Sequence, residues 1–263
     1  MILFHGAEAH AGLYRLSQYV LERRRRPVLL LSLDAMPSLA IGDTPAGLQV
    51  ADRFVNLSDI RSVCLDGIQT PPAPPGLDPH DQDYAATEGW ATLIALFGYL
   101  SDTALVANVP RPRDVIESRF SLLAHLARQG LPVPRMLVTS HPPAARSLPD
   151  VTCRTVAPTA APPRPMVYDD RLDAIRLAPV VFEEVPEGPT HQVTIVGPRI
   201  FNTGLPKSIA RKARQALHSL GLLMASLTFV DGYVTDVQTH LTPALLDDPA
   251  ILKAAAELLE RPP

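Results

Sequence analysis

The first part of the chain alternates short, continuous apolar runs with amphipathic stretches. An apolar run at 2–4, a helical pattern from about Ala9 to Arg26 and a second run at 28–33 predict strand, helix and parallel strand, because the second run is continuous rather than alternating. Apolar positions that share one face predict a helix from Tyr84 to Tyr99. The segment at 104–110 predicts another buried strand. This order is typical of an α/β protein that begins with a βαβ unit.

Two proline-rich tracts interrupt this pattern. We expect the first, at 69–82, to be an exposed loop, because proline does not fit the interior of a helix or a central strand. The second, at 141–165, contains one predicted strand at 151–156. A short lobe is therefore expected after the helix that the pattern predicts from Asp114 to Gln129.

The last third of the chain shows the alternation of apolar and polar positions that antiparallel strands require. The pair Asp231 and Gly232 between two such runs is a strong hairpin signal. The predicted elements are a helix at 170–176, a strand at 178–185, a hairpin-like pair at 190–204, a helix from Pro206 to Leu220, strands at 223–230 and 233–238, and a terminal helix.

The composition limits which binding partners and which cellular compartment are expected for this protein. The 263 residues are 46% hydrophobic, and the formal charge of -3 gives no reason to expect nucleic acid or an anionic membrane as partner. Cys64 and Cys153 lie in strand-like sequence, where buried free thiols are expected and a disulfide framework is not. Since neither a secretion signal nor a membrane-spanning run is visible, we expect a cytoplasmic protein whose partners are neutral small molecules or peptides.

Four segments, at 104–140, 178–188, 190–201 and 219–240, resemble passages that occur in the same order in one group of ligases. They are similar to the ATP-grasp ligases that crosslink microviridin-type peptides and, more distantly, to the ribosomal-protein glutamate ligases. The resemblance implies an α/β, ATP-grasp-like fold that uses ATP and magnesium to join a carboxylate to an amine, and it implies a homodimer. It also implies an N-terminal pre-ATP-grasp lobe at 1–113, a small central lobe at 114–165 and a C-terminal ATP-grasp lobe at 166–263.

The resemblance assigns candidate nucleotide contacts. Arg119 and Arg154 stand where the family has phosphate-contacting lysines, and Gln192 stands where an arginine is usual. Guanidinium binds phosphate in a different geometry from an ammonium, so nucleotide binding is compatible with these changes while positioning for transfer is doubtful. An exposed helix charge for Arg119 and a strand-edge charge for Arg154 are the alternatives. The hinge strand that follows the adenine in the family matches Glu183, Glu184 and Val185, and we expect Glu183, which replaces a glutamine, to be exposed.

As a set, the residues at the positions of the family's magnesium ligands are weaker metal ligands than the residues that they replace. Thr228 stands in place of the first metal carboxylate, while Asp236 and Gln238 stand in place of a glutamate and an asparagine. One carboxylate and one amide can bind magnesium only with help from the nucleotide phosphates. The alternative is that Asp236 and Gln238 face solvent at a strand end. His191 and His240 lie nearby in sequence, but no spacing requires them as ligands or bases.

Two hypotheses follow from the matched positions. In the first, the chain is a degenerate, ATP-grasp-like pseudoenzyme that binds a peptide or protein partner. In the second, it is a divergent ATP- and magnesium-dependent ligase that modifies a peptide, with Arg119, Arg154, Asp236 and Gln238 in the roles above. Chemical positions are lost while the apolar framework persists, which favours the first hypothesis slightly.

Overall fold

The structure of the protein is a computed structural model that describes residues 1–6, 11–32, 38–40, 46–50, 52–65, 73, 75–108, 119–141, 151–155, 164–165, 180–202, 204–239 and 241–261. The helices in these ranges are α1 (Ala11–Arg23), α2 (Pro79–Ser101), α3 (Arg119–Arg128), α4 (Lys207–Ser219), α5 (Pro243–Leu246) and α6 (Pro249–Leu259). The strands up to the second proline-rich tract are β1 (Ile2–Gly6), β2 (Val28–Ser32), β3 (Ser38–Ala40), β4 (Gly47–Val50), β5 (Arg53–Asn56), β6 (Ser62–Leu65), β7 (Leu105–Ala107) and β8 (Met136–Thr139). The remaining strands are β9 (Val151–Thr155), β10 (Arg164–Pro165), β11 (Val180–Glu184), β12 (Thr190–Val196), β13 (Arg199–Asn202), β14 (Met224–Val230) and β15 (Tyr233–Gln238).

The N-terminal sheet has the strand order β2-β1-β6-β7, and its neighbouring strands are parallel. The predicted βαβ start is therefore confirmed. Every residue of β1 and β6 is buried, as expected for a parallel sheet that is covered on both faces. Cys64 on β6 is buried and is not part of a disulfide in the described part of the chain, as predicted. A small antiparallel sheet, β3-β4-β5, was not predicted, because its strands have only three or four residues each.

Helix α2 begins earlier than the pattern predicts, so the expectation of a loop throughout 69–82 is wrong for its last residues. Pro79 occupies the first turn, where its missing N–H is not needed. The Asp78 carboxylate caps the helix by accepting hydrogen bonds from the backbone N–H groups of His80 and Asp81, at 2.9 and 3.0 Å.

The central sheet has the order β10-β9-β11-β8, and β11 pairs antiparallel with both β9 and β8. The strand predicted at 151–156 is thus present as β9. The C-terminal sheet has the order β13-β12-β14-β15 and is antiparallel throughout. Asp231 and Gly232 have φ values of 49° and 82°, which is the left-handed pair of a type I′ hairpin turn, as predicted.

One face of the C-terminal sheet is apolar and packs on helices α3 and α4. The core between them is made of side chains such as Leu123, Leu126, Ala213, Val193 and Leu227, which are all fully buried. The other face carries polar side chains, as alternation along the strands requires.

The domain boundaries predicted after residues 113 and 165 fall within or beside ranges that the structure does not describe, and they stay predictions. The helix expected at 170–176 also lies outside the described residues. Within the described part of the chain, no helix has the length and apolar character needed to span a membrane.

Candidate functional site: the polar face of the C-terminal sheet

Strand register places several of the predicted site residues in rows across three strands. Gln192 on β12 lies opposite Thr228 on β14, and Thr228 lies opposite Asp236 on β15. Two residues along, the next row consists of Thr194, Ser226 and Gln238. Directly opposed residues of antiparallel strands share a face, so these six side chains form one polar surface.

The two rows differ in their exposure. Thr194 and Ser226 are almost fully buried, and the Thr194 hydroxyl donates a hydrogen bond of 3.3 Å to the Ser226 hydroxyl. Asp236, in the other row, is exposed. The polar face is therefore closed at the row of Thr194 and open at the row of Asp236, which is the arrangement of a cleft wall.

The residues matched to magnesium ligands do not form a metal site of their own. Magnesium prefers six oxygen ligands and commonly one or two carboxylates, whereas the open row offers the Asp236 carboxylate and the Thr228 hydroxyl, with the Gln238 amide beside them. No group of three or more histidine, cysteine, aspartate or glutamate side chains able to hold a metal occurs among the described residues. The Gln238 Oε1 atom is buried and has no hydrogen-bond partner among the described residues.

Arg119 is engaged by protein groups rather than open to a ligand. Its Nε donates to Glu183 Oε2 at 2.6 Å, and its Nη2 donates to Glu183 Oε1, which makes a bidentate ion pair. The same Nη2 donates to the Thr235 carbonyl at 2.7 Å. One guanidinium thus joins α3, the central sheet and the C-terminal sheet.

The prediction that Glu183 is exposed is wrong, because only 4% of the residue is accessible. Burial of an unpaired carboxylate is strongly unfavourable, so a buried carboxylate is normally paired with a cation. Arg119 is the ion-pair partner of Glu183. The two residues that depart from the resembling pattern, arginine for lysine and glutamate for glutamine, are thus in direct contact as an ion pair.

Thr235 is a contact that the alternating pattern does not reveal. The ladder between β14 and β15 shifts register between Thr228 and Phe229, so that Thr235 is the extra residue of a β-bulge. A bulge leaves its residue out of the strand pairing and re-aims its carbonyl. The Thr235 carbonyl is in this way available to Arg119.

Glu184 and Val185, the other residues matched to the hinge strand, are more accessible than Glu183. Glu184 forms an ion pair with Arg135, at 3.1 Å between Nη2 and Oε1, and the Arg135 guanidinium holds the pKa of Glu184 below its usual value. The Glu184 N–H donates to the Arg135 carbonyl at 3.0 Å. Val185, just after the strand, is exposed, as a hinge segment beside a cleft would be.

Other predicted positions stand apart. Arg154 lies on β9 with its backbone opposite Val181 of β11, and its side chain lies outside the described part of the structure. His191 alternates with Gln192 along β12 and lies close to Gly204, before helix α4, so it belongs to the face opposite Asp236. His240 lies outside the described residues.

Asn108 joins the N-terminal sheet to the polar face, and sequence patterns did not single it out. At the end of β7 it adopts a positive φ of 65°. Its Oδ1 accepts from the N–H groups of Leu223 and Met224, both at 2.9 Å, while its Nδ2 donates to the carbonyls of Met224 and Thr239. The available signal was an asparagine directly after a buried strand, a residue type that tolerates the left-handed region.

Comparison with known proteins identifies this architecture. The macrocyclase MdnC from Microcystis aeruginosa MRC, bound with precursor peptide MdnA, superposes with a TM-score of 0.85 at 16% identity over 99% of both chains. The ATP-grasp ligase PsnB, complexed with minimal precursor, Mg and ADP, gives a TM-score of 0.77 at 18% identity over 99% of this chain and 98% of that one. A RimK domain ATP-grasp protein from Sphaerobacter thermophilus DSM 20745 gives 0.64 at 17% identity over 98% and 99%. No family model and no curated protein sequence matches the chain. The predicted ATP-grasp fold is confirmed.

Proposed function

We propose that this chain, which has the fold of the ATP-grasp ligases, binds a peptide or protein partner and that its nucleotide cleft no longer supports ligase chemistry. The observation that carries the proposal is the buried, bidentate pair of Arg119 with Glu183.

The ion pair with Glu183 engages the Arg119 guanidinium, so this cation is not available to a ligand in the cleft. A guanidinium has five N–H donors, and three hydrogen bonds of Arg119 are already made to Glu183 and the Thr235 carbonyl. To bind a phosphate in place of Glu183, Arg119 would give up its bidentate ion pair with a buried carboxylate. Breaking a buried ion pair costs about 3–5 kcal/mol, which opposes the binding of a nucleotide at this position.

The composition of the open row supports the same conclusion. Asp236 is its one carboxylate, and Thr228 and Gln192 are neutral. A phosphoryl-transfer site neutralises developing charge with metal ions and cations. The described residues of this row supply neither a second carboxylate for a metal nor a cation for a phosphate.

A peptide partner is the part of the proposal that rests on the structural neighbours. MdnC is bound with a precursor peptide, and PsnB is complexed with a minimal precursor. A fold that has lost its chemistry can retain such a partner surface, since function resides in sites and not in the fold. A homodimer, a cytoplasmic location and the absence of nucleic acid from its partners remain predictions.

A divergent ligase is the second candidate, and one observation favours it. The buried, unpartnered Gln238 Oε1 lies two residues from the Asp236 carboxylate on the same face of β15. Two such oxygens could complete the coordination of a magnesium ion that is held mainly by nucleotide phosphates. In that case Arg119 and Arg154 would contact the nucleotide.

Thermal unfolding with and without ATP and magnesium separates the two candidates. A ligand at about a hundred times its Kd stabilises the folded state by about 2.7 kcal/mol, which is a shift of a few degrees for a chain of this size. The proposal predicts no shift. A shift that Asp236→Asn abolishes, and that the hairpin-turn control Asp231→Asn retains, would overturn the proposal and favour the ligase.

A further inference from the structure

Helix α4 carries a row of basic side chains along one face, exposed at Lys207 and Arg211 and half-buried at Arg214 and His218. Lys207, Arg211, Arg214 and His218 follow each other at spacings of four, three and four residues, which places them within about 60° of arc on a helix of 3.6 residues per turn. We call this row the basic stripe. It extends over roughly 16 Å at 1.5 Å per residue.

The stripe has no local acidic compensation. No aspartate or glutamate occurs between residues 188 and 230, and no carboxylate pairs with Lys207, Arg211 or Arg214 among the described residues. Arg199, just before α4, does have a partner, Glu257 at 2.5 Å. Among the described residues, Lys207, Arg211 and Arg214 thus have no carboxylate partner of the kind that Arg199 has.

The arrangement works against the stability of the helix. Like charges at spacings of three and four residues repel, and Lys207 occupies the first residue of α4, where the helix dipole is positive and no acidic residue offsets it. Charges that destabilise the helix carrying them are expected mainly at positions that serve a function. They indicate that the stripe is complementary to a negative partner.

The C-terminal half of the stripe borders a groove of about 630 Å³. Arg214 is held there by a hydrogen bond of 2.8 Å to the Pro198 carbonyl, and His218 Nε2 donates to the Gly197 carbonyl at 3.0 Å. The other walls combine polar and apolar side chains: Gln215, Arg261, Leu105, Leu223 and Leu258. The groove thus offers the Arg214 and Arg261 cations beside an apolar floor, while burial lowers the pKa of His218 and favours its neutral form.

We propose that the basic stripe and this groove bind an acidic, extended peptide segment of about five residues, the length that spans the stripe at roughly 3.3 Å per residue. Charge complementarity selects the carboxylates, and the apolar floor receives an adjacent hydrophobic side chain. The net charge of -3 disfavours a long polyanion such as nucleic acid, which would meet repulsion beyond the stripe. Helix α4 covers the apolar face of the C-terminal sheet, opposite the polar face, so this site stands or fails independently of the proposed function.

Fluorescence anisotropy of the full chain with a labelled Asp–Glu repeat peptide tests the proposal. We expect binding that weakens as sodium chloride is added, because exposed charges are screened. Arg211→Gln and Arg214→Gln should each weaken binding by about two- to fivefold, and the double variant by roughly the product. Lys212→Gln is the matched control, since Lys212 is exposed on the same helix but lies away from the stripe.

Three outcomes would overturn the proposal. The first is binding no stronger than that of a Ser–Gly peptide of equal length, and the second is an equal loss in Lys212→Gln. The third is tighter binding of a single-stranded oligonucleotide of equal charge that the same stripe variants weaken, which would assign the surface to nucleic acid. The melting temperature of each variant shows whether it is folded. Because Arg211→Gln removes repulsion between like charges, this variant should be at least as stable as the parent.

Discussion

Arg119 and Glu183 form a bidentate ion pair that connects helix α3 to the hinge strand β11, although 64 residues separate them in sequence. Only 5% of the Glu183 side chain and 22% of the Arg119 side chain are accessible. The contact occupies the position at which the family resemblance predicts a nucleotide, so its energetics bear directly on whether the cleft can bind one.

Glu183→Gln should destabilise the fold strongly. The amide can still accept a hydrogen bond from Arg119 but no longer neutralises its partly buried charge, which should lower the free energy of unfolding by at least about 2 kcal/mol. Urea denaturation of Arg119→Lys, Glu183→Gln and the double variant completes a mutant cycle, in which the double variant should be more stable than the sum of the single changes predicts. Additive effects would mean that the two residues do not interact.

The same double variant should bind nucleotide better than the parent chain does. It frees a cation for phosphate, and one charge-assisted hydrogen bond of about 1.5 kcal/mol corresponds to about tenfold in affinity. Isothermal titration with ATP and magnesium measures the change. Arg199→Lys with Glu257→Gln is the matched control, since it alters an ion pair between β13 and α6, away from the polar face. An unchanged affinity in both would show that the Arg119 pair does not limit nucleotide binding.

Asn108→Ala should be among the more damaging substitutions outside the apolar core. It removes four hydrogen bonds that join β7 to the ends of β14 and β15, and we expect a loss of about 2–4 kcal/mol. Asn108→Gly loses the same bonds but adopts the positive φ without strain, so it should be less destabilised by about 1 kcal/mol. Chemical denaturation of both variants checks this order, and a reversed order would rule out backbone strain as a contribution.

The stability of the fold should depend on pH through His5. This side chain is fully buried on β1, and its Nδ1 donates to the Leu31 carbonyl at 3.0 Å. Burial lowers the pKa of His5 below 6.5, so the unfolded chain binds a proton at a pH where the folded protein does not. The free energy of unfolding should therefore fall as the pH decreases below 6.5, by up to about 1.4 kcal/mol per pH unit from this group.

His5→Asn isolates the effect, because its amide nitrogen can replace Nδ1 as donor to Leu31. The variant should show a shallower dependence of stability on pH between about 6.5 and 5 than the parent, as measured by denaturation at each pH. Parallel curves would exclude His5 as the titrating group.

The rows of the candidate site follow only in part from short-range patterns. Alternation along 190–196 and 224–230 predicts which side chains of β12 and β14 share a face, because a strand has a period of two. The Asp231-Gly232 turn predicts the hairpin, but the pairing of Thr228 with Asp236 depends on the bulge at Thr235, which shifts the register of β15 by one residue. Elements with weak local signals were missed, such as the three short strands β3 to β5 and the first turn of α2.

The sequence by itself determined the fold class, the polar face of strands β12 and β14 and the positions at which residues of the resembling family are replaced. Only the tertiary structure decided that Glu183 is buried, that Arg119 is its partner and that the bulge at Thr235 supplies a third contact. The physical reason is that local periodicity and turn chemistry act over a few residues, whereas the state of a charged side chain depends on the dielectric environment and partners that folding brings from distant segments.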